Sequence, residues 1–145
     1  MSEARTVSTP RHLWIIGIVG LLWNIMGVVD YLMTQTRNET YMAKFSAEEL
    51  EYFYGLPAWV VSTWALAVWG GLLGTVLLLM RRKLAVHVFL VSLLCVVVTA
   101  IQNYGLSEGM EIMGATGMIF TVVIFAIALG LYLYAKKMAR RGVLV

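Results

Sequence analysis

Four long, predominantly apolar runs, Leu13 to Met33, Leu56 to Met80, Leu84 to Leu106 and Ile112 to Tyr134, leave this chain few ways to fold. Each is at least as long as the ~20 residues an α-helix needs to cross a hydrocarbon core about 30 Å thick. Helices apolar on all sides have no polar face to offer water, and lipid requires none. The composition agrees, with 61% of residues apolar and 13% charged, against about 25% charged in soluble domains. The reading is an all-α integral membrane protein, a four-transmembrane-helix up-down bundle forming one domain over residues 13–134. Residues 1–12 are expected as a cytoplasmic N-terminal tail and 135–145 as a basic cytoplasmic tail. Arg5 and Arg11 precede the first run as in a signal peptide, but the run is too long for one and no A-x-A site follows. A retained membrane helix is expected there.

The connections dictate the topology. Only Arg81, Arg82 and Lys83 separate the second and third runs, and only Ser107 to Glu111 separate the third and fourth, so both pairs must be antiparallel neighbours. Lys and Arg near helix ends set orientation. Arg5, Arg11, Arg81, Arg82, Lys83, Lys136, Lys137, Arg140 and Arg141 fall at one end, and Arg37 and Lys44 at the other. This nine-to-two split predicts cytoplasmic termini in a bacterial inner (plasma) membrane, with the loop 34–55 on the periplasmic side. The basic residues lie where lipid headgroups would meet them, so the expected partner is the bilayer and not nucleic acid.

Within that loop, Ser46-Ala-Glu-Glu49 is a capping-box pattern opening a short interfacial helix with Leu50, Phe53 and Tyr54 on one face. Tyr41, Phe45, Tyr52, Phe53, Tyr54 and Trp59 gather at the same boundary. Two readings are open: an aromatic belt at the membrane interface, or a lid over an outward-facing pocket. A weak internal repeat sets Asp30-Tyr31 against Asn103-Tyr104 and Gly74 against Gly130, as two duplicated hairpins would.

Every run carries one stripe of small or polar residues. These are Gly17, Gly20, Asn24, Gly27 and Tyr31; Thr63, Ala67, Gly70 and Gly74; Ser92, Cys95, Thr99, Gln102 and Asn103; and Gly114, Gly117, Thr121 and Ala128. Small residues let helix backbones approach closely in lipid, so packing accounts for most of these positions. Asp30, Asn24, Gln102 and Asn103 need more than packing, because amides and carboxylates inside a span usually face a bundle interior. Counting from the helix ends puts Asp30, Gln102 and Asn103 level with Trp59 and Thr63, with Tyr104 adjacent. The candidate ligand-binding set is therefore Asp30, Asn24, Trp59, Thr63, Gln102, Asn103 and Tyr104, suited to a cation, a proton or a hydroxyl-rich solute. Asp30 also has a plainer reading, as an interfacial residue or a structural clasp.

Other chemistry finds no support. His12 and His87 have no carboxylate or cysteine at ligand spacing, and Cys95 is the only cysteine, so no metal site is expected. Walker, nucleophile-elbow and dinucleotide motifs are missing from the sequence, and neither an enzyme nor a cofactor is expected.

The segment Trp23-Asn24-Ile25-Met26-Gly27-Val28-Val29-Asp30-Tyr31 resembles one found in small bacterial four-helix membrane proteins. Leu56-Pro57-Ala58-Trp59, Trp69-Gly70-Gly71-x-x-Gly74 and the basic turn extend the similarity over nearly the whole chain. Such proteins are loosely labelled "sugar transporter" without a defined mechanism, so the resemblance implies a solute-handling membrane protein. A three-helix sugar-permeating repeat is not visible here, and the order of four spans is more similar to the DoxX-like membrane proteins. Neither resemblance supplies catalytic residues. Two function classes follow: a protein binding or transporting a small polar solute, with a homodimer supplying the path, or an accessory or assembly subunit of a larger membrane complex.

Overall fold

A computed structural model describes residues 8–145; Arg5, one of the nine cations at the basic end, lies outside the described residues. The chain forms helices α1 (Arg11–Gln35), α2 (Glu39–Met42), α3 (Ala47–Tyr54), α4 (Ala58–Leu79), α5 (Leu84–Ile101) and α6 (Gly109–Arg140). A π-turn, Gln102–Leu106, extends α5, and α1, α4, extended α5 and α6 are each long and apolar enough to cross a membrane.

Local chemistry places the boundaries. Pro10 and Pro57 precede α1 and α4 in extended conformation, and neither can continue a helix backward because proline lacks the N–H. The capping box forms at α3: Ser46 Oγ accepts from the Glu49 N–H at 3.2 Å, and Glu49 Oε2 accepts from the Ser46 N–H at 3.3 Å. Arg81, at φ 58°, helps reverse the chain between α4 and α5 within four residues.

The spans pack in the order α1, α4, α5, α6, with α4 presenting one face to α1 and another to α5. Toward α1, α4 offers Val68, Gly71 and Thr75, which meet Gly27, Asn24 and Gly20. Toward α5 it offers Thr63, Ala67, Gly70 and Gly74. A Cβ on Gly74 would lie 2.6 Å from the Phe89 ring, and one on Gly70 3.2 Å from Ser92 Cβ, so these glycines let α4 and α5 approach closely. Gly130, which the repeat pairs with Gly74, has open space around it.

The apolar core sits at the basic end, where Leu13, Leu78, Ala85, Phe89, Leu131, Ala135, Met138, Val143 and Leu144 are buried together. The segment 135–145, expected as a basic cytoplasmic tail, is helical to Arg140 and then folds onto the core. Helix α6 continues to Arg140, because Leu131, Ala135 and Met138 keep an apolar stripe turned inward while Lys137 and Arg140 complement the carbonyl end of the helix. Val143 and Leu144 then fold into the core. The Val145 N–H donates to the Arg81 carbonyl at 2.8 Å and the Val145 carbonyl accepts from the Lys83 N–H at 3.0 Å, fastening the segment to the α4–α5 turn.

At the opposite end the packing loosens. Between Met110 and Gly130 no residue of α6 is buried, and α6 bends at Gly114, whose φ of 68° and ψ of −165° suit only glycine. Helix α3 lies here between α1 and the start of α6, and with α2 it covers this end of the bundle.

Candidate functional site

Asp30 faces the covering segment 36–55, not the bundle axis. Its Oδ1 accepts a hydrogen bond from the Tyr41 hydroxyl at 2.5 Å, and its backbone carbonyl accepts from Thr34 Oγ1 at 2.7 Å. Among the described residues, no Lys, Arg or His lies within ion-pair distance of the carboxylate. Burial, reinforced by the hydrogen bond to Asp30 and its negative charge, pushes the Tyr41 phenol up to about 12. The phenol therefore stays a donor at every physiological pH.

Beside this pair is a small cavity of about 70 Å³ lined by Asp30, Thr34, Phe45, Phe53 and Trp64. Phe45 and Phe53 meet edge to face with centroids 5.2 Å apart, and Trp64 is held edge to face by Tyr31 at 5.0 Å. The Lys44 ammonium rests 4.1 Å from the centre of the Tyr41 ring and 5.1 Å from that of Phe45. Arg37 sits over Tyr54 at 4.4 Å. The segment thus forms a cover (the lid) over this end of the spans, knit together internally by cation–π contacts and joined to the spans by hydrogen bonds.

A second tether joins the lid to the far side of the bundle. The Tyr52 hydroxyl donates to Asn103 Oδ1 at 2.8 Å and lies 2.8 Å from Ser107 Oγ, which donates to the Asn103 carbonyl at 3.1 Å. Burial raises the Tyr52 phenol above its ordinary value, with the Ser107 contact opposing that shift. One lid therefore bridges α1, through Tyr41, and the α5–α6 connection, through Tyr52.

The seven residues expected from sequence to share a pocket are distributed differently. Asp30 lines the cavity and Asn103 anchors the lid, while Asn24 and Thr63 hold helices together. Asn24 Nδ2 donates to the Gly20 carbonyl at 2.8 Å and to Thr75 Oγ1 at 2.9 Å, with its oxygen filling the space Gly71 leaves open. Thr63 Oγ1 lies 3.1 Å from Thr99 Oγ1, joining α4 to α5. The Tyr104 hydroxyl meets Thr121 Oγ1 at 2.9 Å; because the Thr121 proton goes to the Gly117 carbonyl, Tyr104 is the donor. Trp59 is 50% exposed at the start of α4 and lines no part of the cavity. Gln102 is 6% exposed, and its Oε1 has no hydrogen-bond partner among the described residues. Equal depth did not bring these groups together because Gln102, Asn103 and Tyr104 are consecutive on a helical path and fan toward three different surroundings.

Phe45, Phe53 and Tyr41 belong to the aromatic cluster evident in the sequence, whereas Trp64 stands outside it. A signal for it existed. Trp64, Val68, Gly71 and Thr75 fall on one helical stripe, a second face of α4 directed at α1. Extending that stripe toward the lid leads to Trp64 at the level of Tyr31 and Asp30. Comparison of the chain with protein-family models, with curated proteins and with solved structures finds no match.

Proposed function

We propose that this membrane protein binds a small polar solute beneath the lid, with Asp30 as the principal anchor, and that movement of the lid admits and releases it. The observation carrying the proposal is the Asp30 carboxylate beside a cavity, bonded to a lid tyrosine and without a cation within ion-pair distance among the described residues. A purely structural aspartate has no need of an adjoining cavity. The two tethers, Tyr41 to Asp30 and Tyr52 to Asn103, suit a segment that detaches as a unit, because hydroxyl contacts at a solvent-facing end are weaker than buried apolar packing. The basic excess at the opposite end supports an orientation with the lid on the periplasmic face of a bacterial inner membrane.

A thermal-shift screen of small polar solutes on wild type and Asp30→Asn, both in mild detergent, tests the reading. A ligand that binds only the folded state raises Tm with concentration, and the aspartate variant should lose that response while retaining its ligand-free Tm. A wild type that no solute stabilises, paired with a variant that melts lower by itself, would leave Asp30 as a clasp and favour the accessory-subunit reading.

A further inference from the structure

The chemistry of the cavity wall narrows the solute class, on the premise that the lid site binds a solute at all. Three of the five lining residues, Phe45, Phe53 and Trp64, are aromatic, and one, Asp30, is anionic. The remaining polar side chain, Thr34, already directs its hydroxyl proton to the Asp30 carbonyl. A sugar or polyol needs several directional partners for its hydroxyls, and the wall offers almost none. A bare divalent cation needs six or more oxygen ligands, and an anion would meet a carboxylate and the negative faces of aromatic rings. A cation wrapped in apolar groups fits every wall: its charge faces the carboxylate and its carbons face the rings. The cavity of about 70 Å³ holds on the order of five water-sized groups, too few for a hexose with the lid closed.

A second observation points the same way. The lid's own primary ammonium, on Lys44, rests on Tyr41, the partner of Asp30, and on Phe45, a wall of the cavity. One wall residue of the cavity thus already holds an alkylammonium group of the chain.

We propose that the lid site is selective for small organic ammonium cations and that Lys44 is a tethered competitor at its rim. Ligand entry displaces the Lys44 ammonium from the shared Phe45 face, so the lid reports occupancy through its own lysine.

The test uses the full chain in detergent, with trimethylammonium chloride as ligand and isopropanol, glycerol and sodium chloride as controls, read by thermal shift and calorimetric titration. Trimethylammonium should stabilise wild type in a saturable way, and the controls should not. Asp30→Asn should weaken trimethylammonium binding by about tenfold or more. Phe45→Leu, which keeps apolar bulk on the lid and removes the ring, should weaken it about two- to fivefold, and Lys44→Gln should tighten it by a similar factor. Because Phe45 lies outside the spans, that variant keeps the test decisive if Asp30→Asn does not fold. Glycerol binding that depends on Asp30, without trimethylammonium binding, would overturn the ammonium inference and leave the solute-binding reading standing. Failure of every solute to bind would overturn both. Unchanged or weaker trimethylammonium binding in Lys44→Gln would refute the competitor role.

Discussion

The two ends of this bundle are held by different physics. At the basic end Leu13, Leu78, Phe89, Leu131 and Met138 are buried in mutual contact, and Val143 and Leu144 complete the seal. At the lid end the elements meet through single hydroxyls on a carboxylate or an amide, through rings set edge to face, and around a cavity. Close packing distributes attraction over many atoms, so no single contact decides it. A few polar tethers concentrate it, so one proton or one ligand can release them. The contrast is one of proportion: most of the buried apolar cluster gathers at the basic end, while the covering segment is joined to the spans chiefly by a few hydroxyl contacts, with Met42 as its one buried apolar residue.

The strongest challenge to this contrast is Phe89→Ala. Phe89 is 2% exposed and fills the space beside Gly74, so its loss should leave a cavity costing about 3 to 5 kcal/mol. Reversible unfolding in mixed micelles should show that loss, while cysteines introduced into the lid keep their wild-type labelling rates below the transition. Lid labelling that rises in step with global destabilisation would mean that the two ends unfold as one unit.

A smaller effect is expected from the Asn24–Thr75 pair, which lies between the two regimes. A double-mutant cycle with Asn24→Ala and Thr75→Ala should give a coupling of about 0.6 kcal/mol, the average for hydrogen bonds between membrane helices, and no more than ~1.7 kcal/mol. Coupling near zero would assign the α1–α4 contact to the glycine stripe alone.

The smallest effect should be confined to the lid and to alkaline solution. The Tyr41 phenol is raised from 10.0 to about 12, so its proton is held more tightly when the lid is docked than when it is free. Its contribution to docking is fully present below pH 10 and is lost as pH rises through about 12. Lid cysteine labelling should accelerate across that window in wild type, ahead of any loss of helix signal. Tyr41→Phe should label faster at neutral pH and show a smaller alkaline step, the remainder coming from the raised Tyr52 phenol. An undiminished alkaline step in Tyr41→Phe would assign it to another group.

Hydropathy and loop length alone disclosed the four spans and their antiparallel order, because lipid imposes length and backbone satisfaction on every segment that enters it. The small-residue stripe of α4 also reads correctly as a helix contact, since Gly70 and Gly74 lie against α5 at helical spacing, whereas Gly114 of the fourth stripe meets no neighbour. The candidate site was legible only in part. Asp30 stood out as a charged residue in a span, but its partners Tyr41, Phe45 and Phe53 come from two short helices whose docking depends on tertiary contacts that periodicity does not encode. Asn103 likewise found Tyr52, fifty-one residues away in sequence, rather than Asp30. The extension of α6 was hidden because hydropathy falls at Lys136, although the inward stripe of Leu131, Ala135 and Met138 continues through it.

The bend at Gly114 has a geometric consequence. A straight helix of 32 residues would be about 48 Å long, well beyond the thickness of the hydrocarbon layer. Breaking it at Gly114 turns the five residues Gly109–Met113 into a short lever outside the main shaft. That lever ends at Gly109, where an added Cβ would collide with the Asn103 carbonyl and lie 3.0 Å from the Tyr52 hydroxyl. The Tyr52 hydroxyl, bonded to Asn103 and close to Gly109, therefore sits where the covering segment, the end of α5 and this short arm of α6 come together. Any side chain at this joint would strain its backbone although it would touch nothing, since no neighbouring atom lies within reach of a Cβ at Gly114.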